Sequence, residues 1–109
     1  TFRCQVDIEW FEGTPAVVND ADETALVERV ARDASSVTEV KRSAQAMGGD
    51  DMALWLQQAK GAYFYVGAQG GESTAFAHHH PRFDIDERSL PIAAEVLASG
   101  VVELLAGQD

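Results

Sequence analysis

A continuous apolar segment, residues 62–66 (AYFYV), limits what this chain can fold into. Glycines flank it at Gly61 and Gly67. A strand with one solvent-exposed face alternates polar and apolar residues, whereas a continuously apolar strand is typical of the middle of a sheet that is covered on both faces. The segment therefore predicts a layered α/β fold, in which helices pack on a sheet.

Three segments with helical spacing are predicted to supply the covering helices. The first begins after Asp20, a candidate N-cap with Glu23 at the capping-box position, and the second follows the pair Gly48-Gly49. The third begins at Ser89. Their expected buried faces are Leu26, Val27, Val30, Ala31 and Ala34 in the first, Met52, Trp55, Leu56 and Ala59 in the second, and Ile92, Val96, Leu97, Val101, Leu104 and Leu105 in the third.

Residues 2–10 alternate between apolar and polar side chains without interruption. This period of two predicts a half-buried strand, whose apolar face includes Cys4 as a packed thiol. The sequence Gly13-Thr14-Pro15 then breaks the pattern and marks a candidate domain boundary. We therefore expect residues 2–10 to pack in a different unit from residues 19–106.

Composition and charge argue against several classes of function. The formal net charge of -10 disfavours binding to nucleic acid or to an anionic membrane, since both require a basic surface. We expect no apolar run long enough to span a membrane. The single cysteine, Cys4, suits a reducing compartment, which predicts a cytoplasmic location. Because the chain begins at Thr1 within a predicted strand, we expect it to be a piece of a longer protein.

All three histidines lie together at positions 78–80, and a charged, alternating segment follows them. Neutral imidazole is the commonest protein ligand for zinc-like metals, and nearby carboxylates such as Asp84 and Asp86 are frequent partners of such sites. Pro81 stiffens the backbone directly after the histidines. The pattern indicates a candidate metal ligand, and the alternative is a polar surface loop with a chance run of histidines.

Residues 79–87 (HHPRFDIDE), with Leu90-Pro91 just beyond, resemble the C-terminal signature of the M20 metallopeptidase superfamily. The amidohydrolase branch, which includes N-acyl-amino-acid, hippurate and auxin-conjugate hydrolases, is the most similar. Residues 48–52 (GGDDM) are similar to the family's glycine-rich helix start, although Asp50 stands where the family usually has glutamate. Residues 15–20 (PAVVND) resemble the passage from the family's lid domain into its catalytic domain.

The resemblance implies a fold and a division of the chain. Residues 15–109 are expected to be the C-terminal portion of a metallohydrolase catalytic domain, a partial three-layer α/β/α arrangement of the zinc-exopeptidase type. Residues 1–14 are expected to be the last strand of the lid (dimerisation) domain and the crossing that follows it. The longer protein is expected to form a homodimer through that lid domain.

The resemblance also implies a chemistry. His79, two places before the proline, takes the position of a metal ligand in a parent that uses two divalent ions (Zn, Mn or Co) to cleave small N-acyl amino acids or peptide-like amides. Four further residues are candidate substrate contacts: Gly48, Gly49, Asp51 and His78. His80 is expected to be merely solvated. No catalytic residue is expected here, because the family's general base and most of its metal ligands lie upstream, so the chain alone is expected to be inactive.

A second hypothesis belongs to a different class of protein, a free-standing acidic α/β module that binds a partner or ligand without catalysis. For residues 48–51 the alternative to a substrate contact is structural: Gly48-Gly49 serves only as a turn, and Asp50 or Asp51 serves only to cap the helix that follows. The length of the whole gene product, together with an upstream His/Cys metal motif, discriminates between the two hypotheses.

Overall fold

The computed structural model describes residues 2–107, in which helices are joined by long irregular segments. Helix α1 is Ala21–Asp33, helix α2 is Met52–Leu56 and helix α3 is Ser89–Ala106, with a short 3₁₀ helix at Glu72–Thr74. No β-strand occurs between residues 2 and 107. The three predicted helices are therefore confirmed, and the sheet that they are expected to cover stays a prediction.

Helix α1 begins at the predicted N-cap. Oδ1 of Asp20 accepts hydrogen bonds from the backbone N–H groups of Asp22 at 2.9 Å and Glu23 at 3.2 Å. The bond from Glu23 is the largest of the effects that lower the pKa of Asp20, and the nearby ammonium of Lys60, 3.5 Å away, adds to it. The backbone N–H of Asp20 donates to the carbonyl of Gly61 at 3.0 Å, so the helix start is tied to a distant segment.

Helices α1 and α3 pack against each other. Val30 of α1 and Val96 of α3 are buried, with 5% and 4% of their surface exposed. The predicted face of α1 is confirmed, because its remaining members, Leu26, Val27, Ala31 and Ala34, are all half-buried. The predicted face of α3 is only partly correct: Ile92 and Val96 are covered, whereas four other members are exposed, namely Leu97, Val101, Leu104 and Leu105.

Helix α2 is shorter than the predicted buried stripe requires. Oδ1 of Asp50 accepts the backbone N–H of Met52 at 2.8 Å, which helps to fix the helix start. Ala53 is the buried residue of this helix, whereas the expected Trp55 is 70% exposed. Ala59, also expected to be buried, is exposed, because the helix ends at Leu56 and its spacing no longer applies beyond that point.

The molecule is extended and exposes much of its apolar surface. Its radius of gyration is 18.8 Å, whereas a globular domain of this length is expected near roughly 13 Å. Its accessible surface is 9622 Å², compared with roughly 5,900 Å² for a folded monomer of the same mass. Among residues 2–107 the buried apolar side chains are Val30, Ala53 and Val96. The sequence-based prediction of an unusually large exposed apolar surface is confirmed.

Between residues 2 and 107, the segments predicted as strands are not paired with a neighbouring strand. Phe2, Val6 and Ile8 are 94%, 72% and 70% exposed, and the thiol of Cys4 is exposed too, so its expected burial is wrong here. Residues 62–66 are irregular, and all of them except Tyr65 are half-buried. The α/β/α layers, the lid strand and the boundary between residues 1–14 and 15–109 remain predictions. Thr1, Gln108 and Asp109 lie outside the described residues.

Helix α3 is long and apolar enough to cross a membrane, which corrects the expectation that no segment reaches that length. Glu95 and Glu103 interrupt the apolar run in the sequence, but neither ends the helix. Both carboxylates bond to the α1 side of the molecule: Glu103 pairs with Arg29 at 3.0 Å, and Glu95 accepts the hydroxyl of Ser36. Core helices of soluble proteins can be equally long and apolar. The absence of a membrane partner therefore remains a prediction.

Candidate functional site

His78, His79 and His80 lie in a turn between the 3₁₀ helix and α3. The backbone N–H of His80 donates to the carbonyl of Ala77 at 3.2 Å, and the N–H of Phe83 donates to the carbonyl of His80 at 2.9 Å. All three histidines are exposed. Two successive reverse turns therefore present the histidines to solvent at one point of the surface.

His79 has a left-handed backbone conformation, with φ of 68°. Within the described residues Arg3 is the other non-glycine residue with a positive φ. For residues other than glycine such conformations cost roughly 1–3 kcal/mol, and they persist where the surrounding structure holds them. The histidine that resembles a metal ligand is therefore also the described residue of this turn with a left-handed backbone.

The two neighbouring histidines rest on aromatic rings. His80 stacks on Phe76, with ring centroids 4.6 Å apart and planes 16° from parallel, and the Arg82 guanidinium lies 4.1 Å from the centroid of the same phenylalanine. Nδ1 of His80 accepts the backbone N–H of Arg82 at 3.1 Å. His78 meets Phe83 edge-on at 5.0 Å. His80 is exposed as expected, and its ring in addition stacks on Phe76.

The carboxylates that follow the histidines have other partners. Oδ1 of Asp84 accepts the backbone N–H of Ile85 at 2.8 Å. The Asp86 carboxylate accepts Nε of Arg88 at 2.9 and 3.0 Å and the backbone N–H of Arg88 at 3.0 Å. The side-chain bonds from Arg88, followed by the backbone bond, lower the pKa of Asp86 to about 2. The N–H of Asp86 donates to Ala68 at 2.8 Å, so Asp86 ties two segments at the start of α3.

The described residues do not fit a complete metal site. Between residues 2 and 107 no group of three or more His, Cys, Asp or Glu side chains is placed to hold a metal ion. Catalytic zinc normally takes three protein ligands and leaves one position open. The exposed imidazole of His79 therefore suits one coordination position at most.

The candidate substrate contacts lie in two separate places. Gly48, Gly49 and Asp51 are exposed and directly precede α2, whereas His78 lies in the histidine turn. His78 lines a surface groove of about 350 Å³ together with Phe76 and Phe83. Gly48, Gly49 and Asp51 do not line this groove. In the part of the chain that the structure describes, no hydrogen bond or ion pair joins the two groups either. The structure thus leaves the two candidate surfaces apart.

Sequence reasoning missed a link between Asn19 and Tyr63. Nδ2 of Asn19 donates to the carbonyl of Tyr63 at 2.9 Å, and Oδ1 accepts the N–H of Tyr63 at 2.8 Å. The Tyr63 hydroxyl donates to Oδ2 of Asp50 at 3.0 Å, and this bond is the main cause of a raised pKa for Tyr63. The signal in the sequence is an amide side chain, a donor and an acceptor together, directly before a helix cap.

The chain is similar to known proteins over most of its length. Residues 4–103 match the Peptidase family M20/M25/M40. The putative amidohydrolase YhaA of Bacillus subtilis is 39% identical over 84% of this chain and 23% of its own length. An N-acetylcysteine deacetylase of Bacillus subtilis is 30% identical over 95% of this chain and 26% of its own length. The IAA-amino acid hydrolase ILR1-like 6 of Arabidopsis thaliana is 31% identical over 90% of this chain and 22% of its own length.

The chain belongs to the M20/M25/M40 peptidase family, because the match covers nearly all of it. The resemblance to the amidohydrolase branch is confirmed by relatives named as an amidohydrolase, a deacetylase and an amino-acid-conjugate hydrolase. The chain spans about a quarter of the length of these relatives. No solved structure matches the chain significantly.

Proposed function

We propose that the protein containing this chain is a metal-dependent amidohydrolase that cleaves the amide bond of a small N-acyl amino acid or a peptide-like substrate. The observation that carries this proposal is the family match over residues 4–103, among relatives named as an amidohydrolase and an N-acetylcysteine deacetylase. The histidine turn lies inside the matched range, which supports a role for it in the same chemistry.

In this proposal the chain supplies one metal ligand, His79. The candidate ions are Zn, Mn and Co, with two ions in the complete site, and such ions supply Lewis-acid chemistry for amide hydrolysis when bound. The support for His79 is its exposed imidazole and its left-handed backbone, with φ of 68°. The general base and the other ligands belong to the remainder of the protein, so the chain alone is inactive.

The proposed substrate wall comprises Gly48, Gly49, Asp51 and His78. Asp50 rather than Asp51 accepts a backbone N–H at the start of α2, so the carboxylate of Asp51 is not used for capping. A Cβ on Gly49 would lie 3.0 Å from Oγ1 of Thr14, which favours glycine there. The longer protein is proposed to be a cytoplasmic homodimer, joined through its lid domain, with no nucleic-acid or membrane partner.

The test is His79→Ala in the full-length protein. We expect this variant to lose hydrolysis of N-acyl amino acids and to hold less metal per chain, measured by elemental analysis of the purified protein. Ser73→Ala is the matched control, since Ser73 is exposed in the preceding 3₁₀ helix and has no proposed role. If His79→Ala retains full activity and full metal content, the ligand assignment is wrong.

A further inference from the structure

The three consecutive histidines are held in two different ways. His80 lies flat against Phe76 at 4.6 Å, and His78 lies edge-on against Phe83 at 5.0 Å. His79, between them, contacts no aromatic ring in the part of the chain that the structure describes. The outer two imidazoles are therefore anchored on the protein, while the central one is left available for a ligand.

The anchoring of His80 has three components that reinforce one another. Its ring stacks on Phe76, the guanidinium of Arg82 lies 4.1 Å from the centroid of that ring, and the backbone N–H of Arg82 donates to Nδ1 of His80 at 3.1 Å. Stacked rings and a cation over an aromatic face are both stabilising contacts. Together they fix the residue directly after His79, and hence the backbone on one side of it.

A fixed neighbour matters because His79 has φ of 68°, a conformation that a histidine leaves readily unless the surrounding structure prevents it. If His80 came off Phe76, the peptide between His79 and His80 could rotate, and the His79 imidazole would point elsewhere. The stack lies outside the candidate ligand itself, so its effect on a bound metal is indirect.

We propose that Phe76 and Arg82 are positioning residues, which hold His80 and thereby fix the turn that presents His79. The proposal rests on the proposed function, in which His79 binds a metal ion. It assigns His80 to the support of the turn rather than to metal or substrate, and its Nδ1 to a hydrogen bond with the backbone.

The first experiment measures the dissociation constant of Zn²⁺ for the full-length protein by competition with a chelator. Phe76→Ala and Arg82→Gln should each weaken binding by about tenfold, as the loss of groups that orient a ligand typically does. Phe76→Tyr keeps the aromatic face, so its dissociation constant for Zn²⁺ should stay within about twofold of that of the unmodified protein. Ser73→Ala is the control and should bind as the unmodified protein does.

The second experiment does not depend on metal. In NMR spectra, the His80 ring protons should be shifted upfield by the Phe76 ring stacked on them at 4.6 Å, and this signature should be lost in Phe76→Ala and kept in Phe76→Tyr. If Phe76→Ala fails to fold, Arg82→Gln and Phe76→Tyr still provide the comparison. A signature that is absent from the unmodified protein, or unchanged in Arg82→Gln, overturns the proposal.

The two proposals fail in different ways. If His79→Ala retains its metal, the ligand role proposed for His79 fails, and the ring signature of His80 alone decides whether the stack fixes the turn. If His79→Ala loses metal while Phe76→Ala and Arg82→Gln bind Zn²⁺ as tightly as the unmodified protein, the proposed function stands and the positioning role is wrong.

Discussion

Replacing Val96 with alanine tests whether the contact between α1 and α3 holds this chain together. Val96 is 4% exposed, and Val101 on the same helix is 55% exposed. Removing the two methyl groups of a buried valine costs about 1.6 kcal/mol at about 0.8 kcal/mol per group, and any residual cavity adds to that. Because the exposed fractions differ by about half, Val96→Ala should cost about 0.8 kcal/mol more than Val101→Ala from burial alone.

The two substitutions form a matched pair. Alanine is a better helix former than valine by at most about 0.7 kcal/mol, and this gain applies equally at both positions because both lie inside α3. The comparison therefore cancels helix propensity and leaves the burial difference. Val101→Ala should be close to neutral in this chain, since exposed substitutions usually change stability by less than about 0.5 kcal/mol.

The assay is urea unfolding followed by far-ultraviolet circular dichroism, first on the 109-residue chain and then on the full-length protein. In the chain, Val96→Ala should lower the midpoint and Val101→Ala should not. In the full-length protein, Val101→Ala should become as costly as Val96→Ala if the rest of the protein covers that side of α3. Equal midpoints for the two variants in the chain alone would refute the reasoning, because α1 and α3 would then not protect Val96.

Three further predictions follow from other contacts. Gly100→Ala should raise the thermal midpoint of the chain, because a Cβ there meets nothing within 4 Å and alanine is favoured over glycine in a helix by up to about 1 kcal/mol. Gly70→Ala should lower the thermal midpoint, because the new Cβ would lie 2.9 Å from the Cβ of Asp86. The pKa of the Asp86 carboxyl falls from 3.8 to about 2 in the folded chain, so this group should stabilise the fold above about pH 4 and lose that contribution as the pH falls towards 2. Arg88→Gln should return the NMR titration midpoint of Asp86 towards 3.8, and an unchanged midpoint would contradict the pairing. The chain alone should self-associate in sedimentation velocity and bind a hydrophobic dye, and a compact monomer without dye binding would count against this.

The helices could be predicted from the sequence because their determinants are local. The cap at Asp20 and the apolar spacing of α1 lie within one short segment, and the structure confirms both. The buried side of α3 was predicted less well, because exposure depends on what packs against the helix, and only α1 does so among the described residues. The predicted strands need hydrogen-bonding partners from other segments, so period and composition alone do not make them pair.

The candidate site shows the same division between local and distant determinants. The position of His79 followed from its resemblance to a family signature, but its left-handed backbone and the stacking of His80 on Phe76 have no local sequence signal. The link between Asn19 and Tyr63 joins residues 44 positions apart, so the amide before the helix cap marks one partner but does not identify the other. Contacts of this kind are determined by tertiary structure.

The side chain of Asn19 limits how residues 62–66 can aggregate or extend a sheet. A residue in an extended segment offers its N–H and C=O on one edge, and at Tyr63 both are already bonded to the Asn19 amide at 2.8 and 2.9 Å. The amide thus occupies the place of a neighbouring strand's backbone and blocks that edge to a foreign strand. A foreign strand would have to displace the Asn19 amide before it could bond to the N–H or the C=O of Tyr63.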